Sequence, residues 1–236
     1  MKNIAHNIWI LLIGLLILFI GCAPCFNTIQ TARMLPPKAI EITPNYTWYG
    51  YLTSVDEEYQ WRQSNCGGRL GIGLTKKINL YGHYEMIGFG EKDHEKYWHW
   101  SKIHFVELGL KLKMTKPDSN KTLAALYLPV GTYFEDFSDK LEYFQIQPTM
   151  ILTRPIMKRV DLSGSTVVVV SKVEDRKVGI TFVAQNIGLD IFIFEGFSLR
   201  PEFGIGGGVD NDAGIIFSPA YQFSIGFSYA PSGYAK

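Results

Sequence analysis

The chain has 236 residues, of which 47% are hydrophobic and 19% charged, and its formal net charge is +1. This composition excludes a disordered chain, and the balanced charge argues against a nucleic-acid partner. An aromatic content of 14% together with 23 glycines favours an all-β protein, and the length suits one domain.

The N-terminus has the pattern of an export signal. Lys2 precedes an apolar run from Ile8 to Ile20 that only Gly14 interrupts. A run of about 13 residues is short for a membrane-spanning helix, which needs about 20. We therefore predict a signal peptide over residues 1–21.

The apolar run ends in Phe19-Ile20-Gly21-Cys22, which resembles a bacterial lipobox. The resemblance implies that Cys22 becomes the N-terminal residue and carries lipid. Phe19 departs from the usual pattern, which has Leu there, so ordinary cleavage or an uncleaved anchor are the alternatives. Ala23 is compatible with sorting to the outer membrane. Residues 22–38 are then a lipidated N-terminal linker.

Two further cysteines follow the lipobox. Cys25 and Cys66 could pair in an oxidising periplasm. The predicted topology places them near opposite ends of a barrel, so we expect no disulfide. Their spacing matches no metal site.

Beyond Cys25 the recurring pattern is alternation of apolar and polar residues in segments of about ten residues, which is typical of β-strands. The pattern predicts an antiparallel up-and-down transmembrane β-barrel over residues 39–230, followed by a tail over 231–236. Eight or twelve strands are alternatives to ten. The ten predicted strands are about 39–51, 66–75, 78–88, 103–114, 122–133, 142–153, 159–171, 177–186, 197–206 and 215–229.

One face of each predicted strand is apolar, and nearly every charge within the strands falls on the other face. In the eighth strand the alternation assigns Phe182 and Ala184 to the apolar face. A Lys or Arg facing lipid at mid-bilayer costs about 2–4 kcal/mol, so a membrane barrel keeps charges inside. The second face mixes Gly, Ser and Gln with charge, which suits a narrow lumen better than a solvated surface. We therefore predict that the apolar face contacts lipid.

The predicted connections alternate between long and short, as in outer-membrane barrels with long extracellular loops and short periplasmic turns. The long ones are about 52–65, 89–101, 134–140 and 207–213. A lipid on Cys22 would hold the N-terminus on the periplasmic side, with the first strand running outward. The apolar connection at 187–196 is long for a periplasmic turn and predicts a strand extension or a rim helix.

Aromatic residues concentrate near the predicted strand ends, where membrane girdles belong. The run Tyr97-Trp98-His99-Trp100 could alternatively bind a sugar or a peptide. The predicted outer loops are acidic, and the inner turns basic. The predicted girdle residues are Trp48, Tyr51, Trp100, Tyr133 and Phe144 at the outer end and Phe227 and Tyr229 at the inner end.

The chain as a whole resembles a broad group of uncharacterised bacterial outer-membrane β-barrel lipoproteins. The features that carry the resemblance are the lipobox, the segment Thr28–Arg33 and the aromatic-alternating last strand. One departure is the stretch from Ala230 to Lys236 after the last aromatic residue, which leaves the assembly signal internal. The implied partners are outer-membrane lipid, lipopolysaccharide, the barrel-assembly machinery and the lipoprotein-sorting machinery, without nucleic acid.

Charged residues on the second face predict a polar network in the lumen, because buried charges persist when they are paired and hydrogen-bonded. The alternative is catalysis by His83 with Glu85. Gly71-Ile72-Gly73 lacks the dinucleotide-binding context, and Asp210-Asn211-Asp212 reads as a turn, so no cofactor or metal is predicted. The predicted network comprises Arg69, His83, Glu85, Glu107, Lys111, Arg200 and Glu202.

These patterns favour a small outer-membrane barrel with a structural or surface-binding role and a filled or very narrow lumen. A barrel of eight strands is just filled by side chains, whereas open channels need about sixteen. The alternatives are a lipid-anchored, lipocalin-like barrel that binds an apolar ligand, a narrow pore for small solutes, and a membrane-embedded lipid hydrolase.

Overall fold

The computed structural model describes residues 26–51, 62–90, 98–115, 122–134, 143–172, 178–208 and 220–234. Among these residues no helix is long and apolar enough to span a membrane. The strands are β1 (Ile40–Tyr51), β2 (Arg62–Gly73), β3 (Ile78–Gly90), β4 (Trp98–Lys113), β5 (Leu123–Phe134), β6 (Tyr143–Ile146), β7 (Thr149–Met157), β8 (Val160–Lys172), β9 (Gly179–Phe194), β10 (Phe197–Gly208) and β11 (Ala220–Tyr229).

The strands close into an antiparallel barrel with ten strand positions. Except for β6 and β7, consecutive strands pair with each other, and β1 pairs with β11 to close the ring. The segments β6 and β7 share one position, since both pair with β5 and β8. The break between them falls at Gln147-Pro148, where the proline has no N–H to donate. The predicted fold class is therefore confirmed.

The region 187–196 is largely a strand extension. β9 runs 16 residues to Phe194, and the turn Glu195-Gly196 then leads into β10. Gly196 has a φ of 76°, which glycine adopts without the steric penalty of other residues. No rim helix forms there.

The outer face of the barrel is apolar and the inner face polar. On β4, Leu108 is 58% exposed whereas its neighbour Glu107 is buried, and on β11 Phe223 is exposed whereas Ser224 is buried. Large apolar side chains exposed all round a closed barrel form the surface that lipid covers.

Two residues depart from the predicted face. Phe182 and Ala184 are buried inside the barrel, although alternation placed them on lipid. The β8–β9 pairing shifts register between Val169 and Val170. A bulge exchanges the faces of the residues that follow it, so the inward face gains apolar groups at this point.

The two ends of the barrel differ in their connections. The long-loop end carries the connections β1–β2, β3–β4, β5–β6, β8–β9 and β10–β11. The short-turn end carries the connections 74–77, 114–122, 158–159 and 195–196, together with the start of β1 and the end of β11. β1 therefore runs from the short-turn end to the long-loop end, and in outer-membrane barrels the longer loops are extracellular.

Residues 26–35, here named the internal segment, lie inside the barrel without forming a strand. Nine of these ten residues are buried, and Arg33 is intermediate. Residues 26–35 of the predicted linker therefore occupy the lumen. The chain then turns through residues 36–39, where Lys38 N–H donates to Gly73 O at 2.7 Å, and enters β1.

Candidate functional site

The internal segment spans the barrel from one end to the other. The Phe26 ring packs against the rings of Tyr49 and Phe182, with centroids 5.4 and 4.9 Å apart. Tyr49 and Phe182 lie close to the long-loop ends of β1 and β9. Leu35 belongs to a buried apolar cluster with Tyr81 and Ala230, close to the short-turn end.

Near the long-loop end, Glu85 accepts hydrogen bonds from three amide side chains. Its carboxylate accepts hydrogen bonds from Asn27 at 2.5 Å, Asn45 at 2.9 Å and Asn65 at 2.6 Å. The Nε2 atom of His83 lies 3.0 Å from the same carboxylate. Three strands and the internal segment are thereby joined at one buried carboxylate.

Arg69 links the barrel wall to the same part of the internal segment. Its guanidinium donates to the backbone oxygen of Asn27 at 2.7 Å and to the side-chain oxygen at 3.1 Å. It also forms an ion pair with Glu107 at 3.3 Å, and Tyr127 donates to Glu107 at 2.8 Å. The buried charge of Arg69 is thus compensated while it holds the internal segment.

Glu202 holds the centre of the internal segment. It accepts the backbone N–H groups of Thr28 and Ile29, each at 2.9 Å, and the Thr28 hydroxyl at 2.5 Å. Gln222 donates to it at 3.0 Å. Ile29 has a φ of 37°, which is strained for a β-branched residue and persists only where the surroundings impose it. The bonds to Glu202 are part of what imposes it.

Arg200 organises the short-turn half of the lumen. It pairs with Glu41 at 2.7 Å and with Asp190 at 3.1 Å, and it donates to the backbone oxygen of Ile29 at 3.4 Å. It also donates to Tyr234 in the C-terminal tail, whose hydroxyl donates to Glu41 at 2.5 Å. The tail therefore folds back into the lumen at this end.

Two more cations hold the last residues of the internal segment. Lys111 donates to the backbone oxygen of Thr31 at 3.1 Å and to the Tyr81 hydroxyl at 3.0 Å. Arg33 forms a two-point ion pair with Asp161 on β8. The wall and the internal segment are thus linked along the whole lumen.

The structure buries all seven residues of the predicted lumen network and groups them around the internal segment. Sequence reasoning missed the segment itself, although Thr28–Arg33 had been singled out as a feature of the resemblance. It also missed Glu41, Asp190 and Tyr234 as partners of Arg200. All seven residues have a low exposed fraction: 4% for Arg69, 3% for His83, 0% for Glu85, 3% for Glu107, 1% for Lys111, 4% for Arg200 and 6% for Glu202.

His83 lies inside this network. Its Nε2 atom faces Glu85, its Nδ1 atom lies 3.7 Å from Glu107, and its ring packs edge-on against Phe105. A catalytic triad needs a nucleophile within hydrogen-bond reach of the base. Among the described contacts of the His83 ring the polar partners are carboxylates, and this arrangement fits a structural hydrogen bond to Glu85.

Side chains and the internal segment pack against one another along the described part of the lumen. A cavity of about 10 Å³, room for about one water molecule, lies beside Ile29, Ser163 and Arg200. The interior is occupied by side chains and by the backbone of the internal segment.

Residues outside the network bear on other sequence expectations. Cys66 is exposed on the outer face and unpaired, whereas Cys25 lies outside the described residues. Trp48 and Phe144 are exposed at the long-loop end, in keeping with a girdle, but Tyr133 packs against the buried ring of Phe105 at 4.8 Å. The side chains of Tyr51 and of Tyr97-Trp98-His99-Trp100, and the whole of Asp210-Asn211-Asp212, also lie outside what the structure describes.

No family model matches the sequence, and no curated protein matches it. Solved structures do resemble the fold. An outer-membrane channel from Pseudomonas putida F1 aligns with a TM-score of 0.51 and 10% identity over 89% of this chain and 100% of that chain. The translocator domain of the autotransporter NalP from Neisseria meningitidis aligns with a TM-score of 0.50 and 10% identity over 83% of this chain and 90% of that chain.

The outer-membrane protease OmpT from Escherichia coli aligns more weakly, with a TM-score of 0.40 and 10% identity over 86% of this chain and 100% of that chain. Identities this low show the fold alone. The chain is thus a small β-barrel of the outer-membrane type, and its resemblances to a channel and a protease do not assign it either activity.

Proposed function

We propose that this protein is a sealed outer-membrane β-barrel lipoprotein with a structural or surface-binding role, whose lumen is closed by its own N-terminal segment. The observation that carries the proposal is the burial of residues 26–35 along the length of the lumen. A conducting pore needs a continuous water-filled path, and here a peptide backbone occupies that path.

The bonding of the internal segment supports a permanent seal. The carboxylates of Glu85, Glu202 and Asp161 each bind a residue of the segment. The guanidinium groups of Arg69 and Arg200 also bind residues of the segment. Withdrawal of the segment would break the Arg33–Asp161 ion pair and would remove at least one hydrogen-bond partner from each of the other buried charges, at a cost of about 1.5–3 kcal/mol for each such bond. A seal held this way opens rarely on its own.

The distribution of polarity argues against the lipocalin-like alternative. An apolar ligand needs an apolar interior, whereas this lumen contains ion pairs and amides. The apolar side chains instead point outward, with Ile42 52% exposed and Leu108 58% exposed. Such a surface is suited to lipid and not to water.

The surface-binding part of the proposal rests on the connections at the long-loop end. Their sequences include Asp56-Glu57-Glu58 and Glu135-Asp136, which are acidic. Acidic groups at the outer surface of a membrane can share divalent cations with lipopolysaccharide phosphates. The sealed barrel would then serve as a rigid support for these connections.

The seal is tested by single-channel recording of the full-length protein in planar lipid bilayers. We expect no stable conductance steps from the wild-type protein. Glu202→Ala removes the acceptor for two backbone N–H groups of the internal segment, so we expect brief openings. Ser171→Ala is the control, because this buried hydroxyl bonds Thr181 on β9 rather than the segment. Stable conductance by the wild-type protein would establish the narrow-pore alternative.

A further inference from the structure

The direction of the internal segment decides on which side of the membrane the N-terminus lies. Residue 35 is at the short-turn end, where β1 begins, and residue 26 is at the long-loop end beside Tyr49 and Phe182. The described chain therefore enters the lumen at the long-loop end and leaves it at the short-turn end. In an outer-membrane barrel the long-loop end faces the cell exterior.

We infer that the chain is threaded through its own barrel, so that the residues before Phe26, including Cys22 with its predicted lipid, lie at the cell surface. The inference rests on the proposed seal. It adds the place where the lipid anchor inserts, which is the acyl-lipid layer of the outer leaflet. It replaces the sequence-based expectation of a periplasmic N-terminus.

Chain length excludes an anchor in the opposite leaflet. Three residues separate Cys22 from Phe26, and the four Cα-to-Cα steps between them span at most about 14 Å when fully extended. The apolar band of an outer-membrane barrel is about 25 Å tall. A lipid on Cys22 can therefore reach the outer leaflet over the rim, but it cannot reach the periplasmic leaflet while Phe26 stays in place.

The internal segment itself is long enough for the crossing. Ten residues span about 33–36 Å when extended, which exceeds the apolar band. The contacts of the segment with the barrel wall follow the same order as its residues. Asn27 contacts Tyr49 near the long-loop end, and the Ala32 N–H donates to Thr153 nearer the short-turn end. A segment folded back on itself would not keep this order.

Antibody accessibility tests the threading directly. An epitope is inserted between Ala23 and Pro24 of the full-length protein, and the control carries the same epitope after Lys236, beyond the tail that folds into the short-turn end. We expect the N-terminal epitope to bind antibody on intact cells, and the C-terminal epitope to do so only after the outer membrane is permeabilised. An N-terminal epitope that needs permeabilisation, like the control, would overturn the inference.

A second measurement tests the same inference if the epitope insertion prevents the protein from folding. In a Cys66→Ser variant, Cys25 is the one thiol left beside the lipid-blocked Cys22, and a membrane-impermeant maleimide is applied to intact and permeabilised cells. Labelling that is complete before permeabilisation supports the threading, and labelling that rises on permeabilisation overturns it. A periplasmic N-terminus in a non-conducting barrel would remove this inference alone, whereas stable conductance would remove the seal.

Discussion

The carboxylate of Glu202 accepts both the backbone N–H and the hydroxyl of Thr28, at 2.9 and 2.5 Å, although 174 positions separate the two residues along the chain. One residue belongs to the barrel wall and the other to the internal segment. The seal of the lumen and the stability of the barrel therefore depend on the same buried bonds, and a substitution in the network is expected to change both.

Arg69 offers the first stability test. Arg69→Ala leaves Glu107 buried without its cation and Asn27 without its donor, so we expect a loss of about 3–5 kcal/mol in the free energy of unfolding. Arg69→Lys should recover only part of this loss, because an ammonium group cannot reproduce the fork of the guanidinium. Urea unfolding in detergent micelles measures both values, and equal stability of Arg69→Ala and the wild type would contradict the network.

The close approach of Gly226 to Ile29 gives a test specific to the internal segment. A Cβ atom at position 226 would lie 2.5 Å from Cγ2 of Ile29. Gly226→Ala should therefore destabilise the protein by about 1–3 kcal/mol through overpacking.

The double variant supplies the control for this test. Gly226→Ala should cost less in an Ile29→Ala background, where the obstructing methyl group is gone, and the double-mutant cycle should give a coupling of about 0.5–3 kcal/mol. Additive effects would show that the two residues are not neighbours.

The sequence was sufficient to predict the barrel because alternation is a local property. The charged faces of strands such as β4, with Glu107 and Lys111, and β10, with Arg200 and Glu202, could be read residue by residue and pointed into the lumen. The β8–β9 bulge was invisible to this reading, because a single extra residue exchanges the faces without changing composition. Phe182 was misplaced for that reason.

The internal segment could not be predicted for a different reason. Its residues follow no period of two or 3.6, and its burial depends on contacts with residues up to 174 positions away. A stretch such as Thr28–Arg33 resembles an ordinary linker until the lumen around it is known.

The lipid-facing surface provides a third prediction. Leu108 lies within β4 on the outer face, whereas Met114 follows the end of the same strand and is also exposed. Leu108→Arg should destabilise the barrel by about 2–4 kcal/mol, and Met114→Arg by about 0–1 kcal/mol, because the cost of charge falls toward the interface. Folding into lipid vesicles measures the difference, and equal costs at both positions would contradict a membrane around β4.

The role of Cys22 is tested by its removal. Cys22→Ser should abolish incorporation of labelled palmitate, yet the variant should stay in the outer-membrane fraction after alkaline extraction, because the strands themselves span the membrane. On unheated gels both proteins should migrate faster than after heating, as folded barrels do. Release of Cys22→Ser into the soluble fraction would mean that the lipid is the sole anchor.

Disulfide trapping tests the central claim most directly. Oγ1 of Thr28 and Oγ of Ser165 lie 2.9 Å apart across the lumen, so the Thr28→Cys/Ser165→Cys pair should cross-link under mild oxidation in native outer membranes. The background carries Cys25→Ser and Cys66→Ser, and the control pair is Thr28→Cys/Thr153→Cys, since Thr153 contacts Ala32 instead. A faster-migrating denatured band that appears for the first pair alone, and disappears on reduction, is the result we predict. Absence of that band, or equal bands for the two pairs, would contradict an N-terminal segment threaded through the barrel.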